Sequence, residues 1–399
     1  MGRCDNSQKT MKRFIILLEL IALTYQVSAQ SNVSYKEKDI LVNGLYYNIF
    51  SDGTAEVSNK GGCYGYEDKC SGTVIIQPSI TYNGIIYPVT KIGMNAFSQC
   101  KNLNRIYIPD RITHIGQGAC SEGISLHKIV LPKSLQVIGG YAFCDAAIDT
   151  ITIPAMVDSI GDCAFLNCHN LTVRNSIFPE NVKFVGRFAF ANTRISNPLY
   201  NSHIFAYLPP TFSEYSVPEG IEVIAGGAFA CCSNLQKINL PMSLRYIKDH
   251  AFGVLNSYDI SGCLSLSEII IPDGVIDIDF EAFDRCTGLK KVIIGNNVRT
   301  LGVNCFASCS NLMTVALGKN LKHIGRAAFK ECGNIKEITL PDGLLKIDSY
   351  CFYKCSNLIY ISVPNSVIEI GENAFKDMPY ILYAGTAQGA PWGAKAVCQ

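Results

Sequence analysis

A frame reading Ile-Gly-x-x-Ala-Phe-x-x-Cys-x-x-Leu-x-x-Ile-x-Ile-Pro-x-x-Val returns along this chain, and from Phe283 through Phe306, Phe329 and Phe352 to Phe375 it steps by 23 residues each time. A fixed period of that size predicts a stacked solenoid rather than one compact core. The Phe position is also held by Phe97, Cys120, Phe143, Phe165, Phe190, Phe229 and Phe252, which predicts about twelve coils over residues 91–378.

One repeat shows how a coil is built. In Asn102 to Gly116, Leu103, Ile106 and Ile108 alternate or nearly alternate with polar residues, the period of a strand with one buried face. Pro109 supplies no backbone donor and ends the strand. Ile112 and Ile115 form a second apolar pair, and Gly116 marks the next corner, so each coil has three sides. The expected architecture is a superhelix with parallel β-ladders and short helical or irregular turns. Inward side chains contribute roughly 1.5–3 kcal/mol each when buried, against about 1–2 kcal/mol per residue for ordering the chain. A lone coil is therefore unstable, stacking supplies the difference, and both ends need covers.

Residues 30–90 are expected to form a β-rich N-terminal cap. Leu45–Phe50 and Thr73–Ile76 read as strands, with Asp52-Gly53, Gly61-Gly62 and Asn83-Gly84 as turns. Residues 379–399 read as a C-terminal cap, with Trp392 laid over the last coil. The period breaks twice, placing insertions near 192–216 and 253–262 that are expected to project as loops. The first carries Tyr200, Phe205, Tyr207, Phe212 and Tyr215, more aromatic surface than a spacer requires, so Tyr207 and Phe212 are candidate binding residues.

Residues 1–29 read as a secretory signal peptide, with Met11 an alternative start: Lys12 and Arg13, an apolar Phe14 to Tyr25, and Val27-Ser28-Ala29 before Gln30. That apolar run of about 12 residues is too short to span a bilayer, and no second stretch nears about 18. The mature chain is expected to be exported, extracellular, at the cell surface or in a periplasm. With 34 basic and 33 acidic residues and no long run of either sign, nucleic acid is excluded as the expected partner.

Eighteen cysteines in an exported chain suggest a disulfide framework, yet their positions argue otherwise. Cys100, Cys168, Cys232, Cys286, Cys309, Cys332 and Cys355 sit three residues after the Phe position, and Cys163, Cys305 and Cys351 replace the Ala before it. They are expected as buried thiols in columns of the solenoid. Coils about 4.8 Å apart lie within disulfide reach, so bridges within a column stay open. Cys63 and Cys70, in a Gly-rich loop outside the repeats, form the candidate disulfide.

No catalytic or metal-binding motif stands out. Six histidines are scattered among coils, and Cys305-x-x-x-Cys309 and Cys351-x-x-x-Cys355 fall in repeat columns with no histidine to complete a zinc set. No cofactor is expected. The strand flanks instead offer outward rows, one through Arg105, Lys128, Lys237 and Tyr360 and a second through Tyr107, Ile270 and Ile293, and these seven residues are the remaining candidate binding positions. At about 4.8 Å per coil, twelve coils make a surface of about 55 Å, the scale of a protein partner.

The frame, best kept in Ile92–Pro109, Ile324–Pro341 and Ile347–Pro364, closely resembles the BspA-like leucine-rich-repeat family over about three quarters of the chain. Cys120 for Phe, Gly295 and Gly318 for Pro, and the stretch 171–179 depart from it. The resemblance implies a secreted or surface-exposed protein, often an adhesin that binds host matrix, other cells or other microbes; the extended array and the missing catalytic motifs make the expected protein a non-enzymatic binder of a host or microbial protein or glycoprotein. The alternatives are a structural envelope spacer without a dedicated ligand and, more remotely, a secreted hydrolase.

Overall fold

The computed structural model describes residues 33–59, 70–173, 178–254 and 262–398; the signal-peptide assignment and Cys63 lie outside them. Among the described residues every regular element is a strand, and the strands stack as a parallel β-solenoid of about twelve turns. The cap begins as an antiparallel meander of Tyr35–Val42, Leu45–Phe50 and Ala55–Ser58. Asn43 and Gly44, at φ 49° and 82°, make its first turn, and Asn83 and Gly84, at 50° and 77°, make the turn between Ser79–Tyr82 and Ile85–Ile92. Two positive φ values fit the turn that matches strand twist. Ala55–Ser58 then pairs in parallel with Ile85–Ile92, which hands the sheet on to the coils.

One face of the solenoid is a ladder of two-residue strands, beginning His114–Ile115, Val137–Ile138 and Ser159–Ile160. The second face carries Gly72–Ile75, Leu103–Tyr107 and their successors. Gly72–Ile75 is thus the first rung of that face, running parallel to the first repeat, rather than a hairpin partner within the cap. At the other end the ladder continues through Tyr380–Leu382 to Ala396–Cys398, and buried Trp392 accepts a hydrogen bond from Phe375 N through its carbonyl oxygen at 3.1 Å.

The third side is irregular rather than helical. Asn95, Phe97 and Gln99 donate their N–H groups to Gln117, Ala119 and Ser121 of the next coil, while Ala96 and Ser98 close local turns onto Gly93 and Asn95. Asn95 and Gln99 have positive φ, and the same pair recurs at Asn304 and Ser308 and at Tyr350 and Lys354. Such backbones cost about 1–3 kcal/mol each outside glycine; the inter-coil hydrogen bonds they permit pair alternate N–H groups of the turn, which offsets the cost. The Gly corner has a different origin: Gly116 is not at positive φ, but a Cβ there would come within 2.7 Å of the Gly93 carbonyl carbon in the coil before it. Where Gly318 stands for Pro, a Cβ would overlap the Gly295 carbonyl oxygen.

The Phe positions form aromatic stacks, one through Phe143, Phe165 and Phe190 and one from Phe205 through Phe229 to Phe375. The first insertion corrects the expectation of a projecting loop. Its strand Ile204–Tyr207 is buried at every position and divides the interior in two. Ile204, Ala206 and Tyr207 pack in the N-terminal core, and Phe205 in the C-terminal one. The two-residue ladder is likewise interrupted there, ending at Phe184–Val185 and restarting at Leu199–Tyr200. Asn201 bridges the break: its Nδ2 donates to Pro179 O at 3.2 Å and Val182 O at 2.9 Å, and its Oδ1 accepts from His203 N and Ile204 N. The second insertion leaves the coil after Phe252 and returns at Cys263, whose N–H donates to Phe252 O at 3.0 Å, so its ends meet.

Candidate interaction surface

Alternation along the second strand face puts one residue of each rung inward and its two neighbours outward. Ile106, Ile269 and Val292 are buried while Arg105, Tyr107, Glu268 and Ile270 flank them. Tyr107, Ile270 and Tyr360 are about half exposed, at 49%, 55% and 52%. Lys128 and Lys237 are exposed, and Arg105 and Ile293 are half-buried. Arg105 Nη1 donates to the Tyr107 hydroxyl at 2.9 Å and holds its guanidinium over that ring. Parallel register places Arg105 beside Lys128 and Ile270 beside Ile293, and stacks Tyr360 on Tyr380 at 5.8 Å.

The surface extends beyond the frame at both ends. Ile75, in register with Tyr107, is 58% exposed, and Leu382 follows Ser362. Val130 continues the row after Tyr107 and is the most exposed of them at 80%. Tyr207 does not belong to the surface: at 1% exposure it lies in the core, 6.4 Å from Phe190. Phe212 is half-buried, set edge-on against Tyr215 at 5.5 Å. Phe205 and Tyr207 of the insertion fill the interior, Phe212 and Tyr215 are half-buried, and Tyr200 stays exposed.

Charged groups tie neighbouring coils together. Arg187 pairs with Asp162 at 3.0 Å and Asp249 at 3.2 Å, joining coils on both sides of the dividing strand, and burial still pushes the Asp249 carboxyl up to about 6. Three histidines have carboxylate neighbours that the sequence did not announce: His127 with Asp149, His323 with Asp348, and His250 with Glu281. His250 is buried between Phe188 and Phe280, which pushes its pKa down to about 4 and keeps the imidazole neutral. Among the described residues no three His, Cys, Asp or Glu side chains converge on a metal position, and no helix is long and apolar enough to cross a membrane.

Asp284 is buried beside Glu281, and desolvation first, then that like charge, push its carboxyl up to about 7 despite Arg285 and Lys330. The folded state therefore holds a proton that the unfolded chain has lost between about pH 4 and 7. Asp284 costs stability as pH rises through that window, fully so above 7. Asp284→Asn is expected to stabilise on the order of 2–4 kcal/mol at pH 8 and to be near neutral at pH 4, read from denaturation midpoints at the two pH values. An equal effect at both would contradict this origin.

Stacked coils, two parallel ladders and an aromatic spine define a β-solenoid repeat protein. The family model described as BspA type leucine rich repeat region, in six copies, matches residues 90–206, 200–261 and 253–381. The chain belongs to that family. Among solved structures, a leucine-rich repeat protein from Eubacterium ventriosum is 19% identical with TM-score 0.54, covering 91% of this chain and 100% of that one. One from Bacteroides ovatus is 27% identical with TM-score 0.48 (86% and 94%), and a leucine rich cell surface protein from Faecalibacterium prausnitzii is 21% identical with TM-score 0.49 (93% and 96%). No curated protein matches.

Proposed function

We propose that this protein is an exported, non-enzymatic interaction protein that binds a protein or glycoprotein of a host or microbial surface, in the manner of an adhesin. The outward rows of the second strand face make the contact. The observation that carries this reading is the run of exposed apolar and aromatic side chains on successive rungs, Ile75, Tyr107 and Val130, resumed at Ile270 and Tyr360. Their backbones are fixed by the ladder, so a partner meets a rigid surface and orders little on binding. Family membership supports a protein-interaction role and a place at the bacterial surface.

The test is saturable binding of the purified chain to arrayed matrix proteins and surface glycoproteins. Combining Arg105→Ala, Tyr107→Ala and Tyr360→Ala is expected to weaken binding at least tenfold, about 1.4 kcal/mol or more, because aromatic and Arg anchors dominate interfaces. The melting midpoint should hold, since the three side chains point outward. No saturable partner, or undiminished binding by the triple variant, favours a structural spacer instead.

A further inference from the structure

The cysteine column follows a rule, with Cys232 the exception in donating to Leu208 O at 3.4 Å. Cys168, Cys286, Cys309, Cys332 and Cys355 donate their S–H groups to the carbonyl oxygens of Phe143, Phe252, Phe283, Phe306 and Phe329, at 2.9–3.3 Å, and in each case the acceptor lies in the coil before. Cys263, resuming the column after the second insertion, does the same with Phe229. These thiols are sealed in the core and already hydrogen-bonded.

Cys100 is the first member of the column, with no earlier Phe turn to supply a carbonyl. The side chain that faces its thiol is Cys70, and the two share one cavity wall. Cys70 stands two residues ahead of Gly72–Ile75, whose Gly72 N donates to Asn102 O at 2.8 Å and whose register sets Gly72 beside Leu103. Neighbouring parallel strands lie about 4.8 Å apart, within the Cα range of an unstrained disulfide. Both cysteines line one cavity of about 40 Å³, too small for any ligand beyond a water or two. Cys70 is half-buried and reachable from solvent, whereas Cys100 is 3% exposed.

We propose that Cys70 and Cys100 are a redox pair whose disulfide fastens the strand Gly72–Ile75 to the first repeat coil. The oxidant is a disulfide, either glutathione disulfide or a protein of the thiol–disulfide exchange class. Cys70 Sγ, as thiolate, attacks one sulfur of that disulfide and expels the other as a thiolate, leaving a mixed disulfide on Cys70. Cys100 gives up its proton to the departing thiolate or to solvent, attacks Cys70 Sγ and expels the second thiolate. Two protein thiols are oxidised and one disulfide is reduced to two thiols. The neighbouring Cys100 thiol holds the Cys70 thiol below its ordinary pKa, while the same neighbour and burial push the Cys100 thiol up, which suits Cys70 rather than Cys100 to make the first attack.

The experiment equilibrates the purified full chain with glutathione disulfide, blocks free thiols in denaturant, and maps cross-linked peptides by mass. The expected result is one cross-link joining Cys70 to Cys100, the loss of two thiols per chain, and a raised melting midpoint that a phosphine reductant reverses. Cys70→Ser and Cys100→Ser should each abolish both cross-link and shift. Reduced Cys70→Ser should melt with the reduced parent, which separates a lost bridge from a misfolded variant. A Cys63–Cys70 bridge, a bridge between two column cysteines, or no thiol loss overturns the proposal.

Discussion

Replacing Asn201 by leucine is expected to destabilise the protein by about 3–6 kcal/mol, measured by chemical denaturation, though no charge and little volume change. Asn201 is 4% exposed, and all four of its side-chain hydrogen bonds go to main-chain groups: carbonyl oxygens of Pro179 and Val182 on one side, N–H groups of His203 and Ile204 on the other. Leucine leaves those groups facing an apolar side chain, at about 1–3 kcal/mol for each that water cannot reach. The ladder of the first face is interrupted here, so no continuous sheet shares the load. The variant should also lose cooperativity, with residues N-terminal and C-terminal to the break melting at separate midpoints. A loss under about 1 kcal/mol with a single unchanged transition would show that apolar packing around Ile204–Tyr207 holds the halves together unaided.

Phe306→Ala tests the spine. Phe306 is fully buried, its ring 5.0 Å from Phe283 and 5.6 Å from Phe329 and nearly parallel to both. Truncating a core Phe costs about 3–5 kcal/mol through lost burial and the cavity left behind. Two ring contacts vanish with it, each worth about 0.5–1.5 kcal/mol beyond area. A solenoid adds nearest-neighbour terms, so the damage should concentrate in the flanking coils. Hydrogen exchange is the discriminating readout: the N–H of Phe283, which donates to Cys305 O, and that of Phe306, which donates to Ala328 O, should lose protection well before Phe143. Uniform loss along the chain would mean that the coils unfold as one body.

The fold was legible because a 23-residue frame repeats its own evidence: each Ile-x-Ile-Pro strand confirms the one before, and the outward rows followed from the alternation of Arg105, Ile106 and Tyr107. Departures from the frame were the hard part. The run Ile204-Phe205-Ala206-Tyr207-Leu208 is continuously apolar, the mark of a strand buried on both faces. Tyr207 reads from sequence as a recognition residue because the insertion carries more aromatic side chains than a spacer requires. Phe205 precedes Phe229 by 24 residues, close to the period, and that spacing was the available clue. Ile75 and Leu382 were missed for the converse reason, since they extend the surface from segments where the frame has lapsed. Ties such as Arg187 with Asp162 and Asp249 join residues far apart in the chain, and no local pattern announces them.

The even step from Phe283 to Phe375 has an evolutionary corollary. Where successive turns share one length, one buried column and one register, a duplicated or deleted block of 23 residues meets neighbours already shaped to receive it. Reach can then be adjusted in increments of about 4.8 Å without a new folding problem. The tract from 283 to 375 is where length variation among relatives should fall, while the unrepeated partition at 199–208 should stay single.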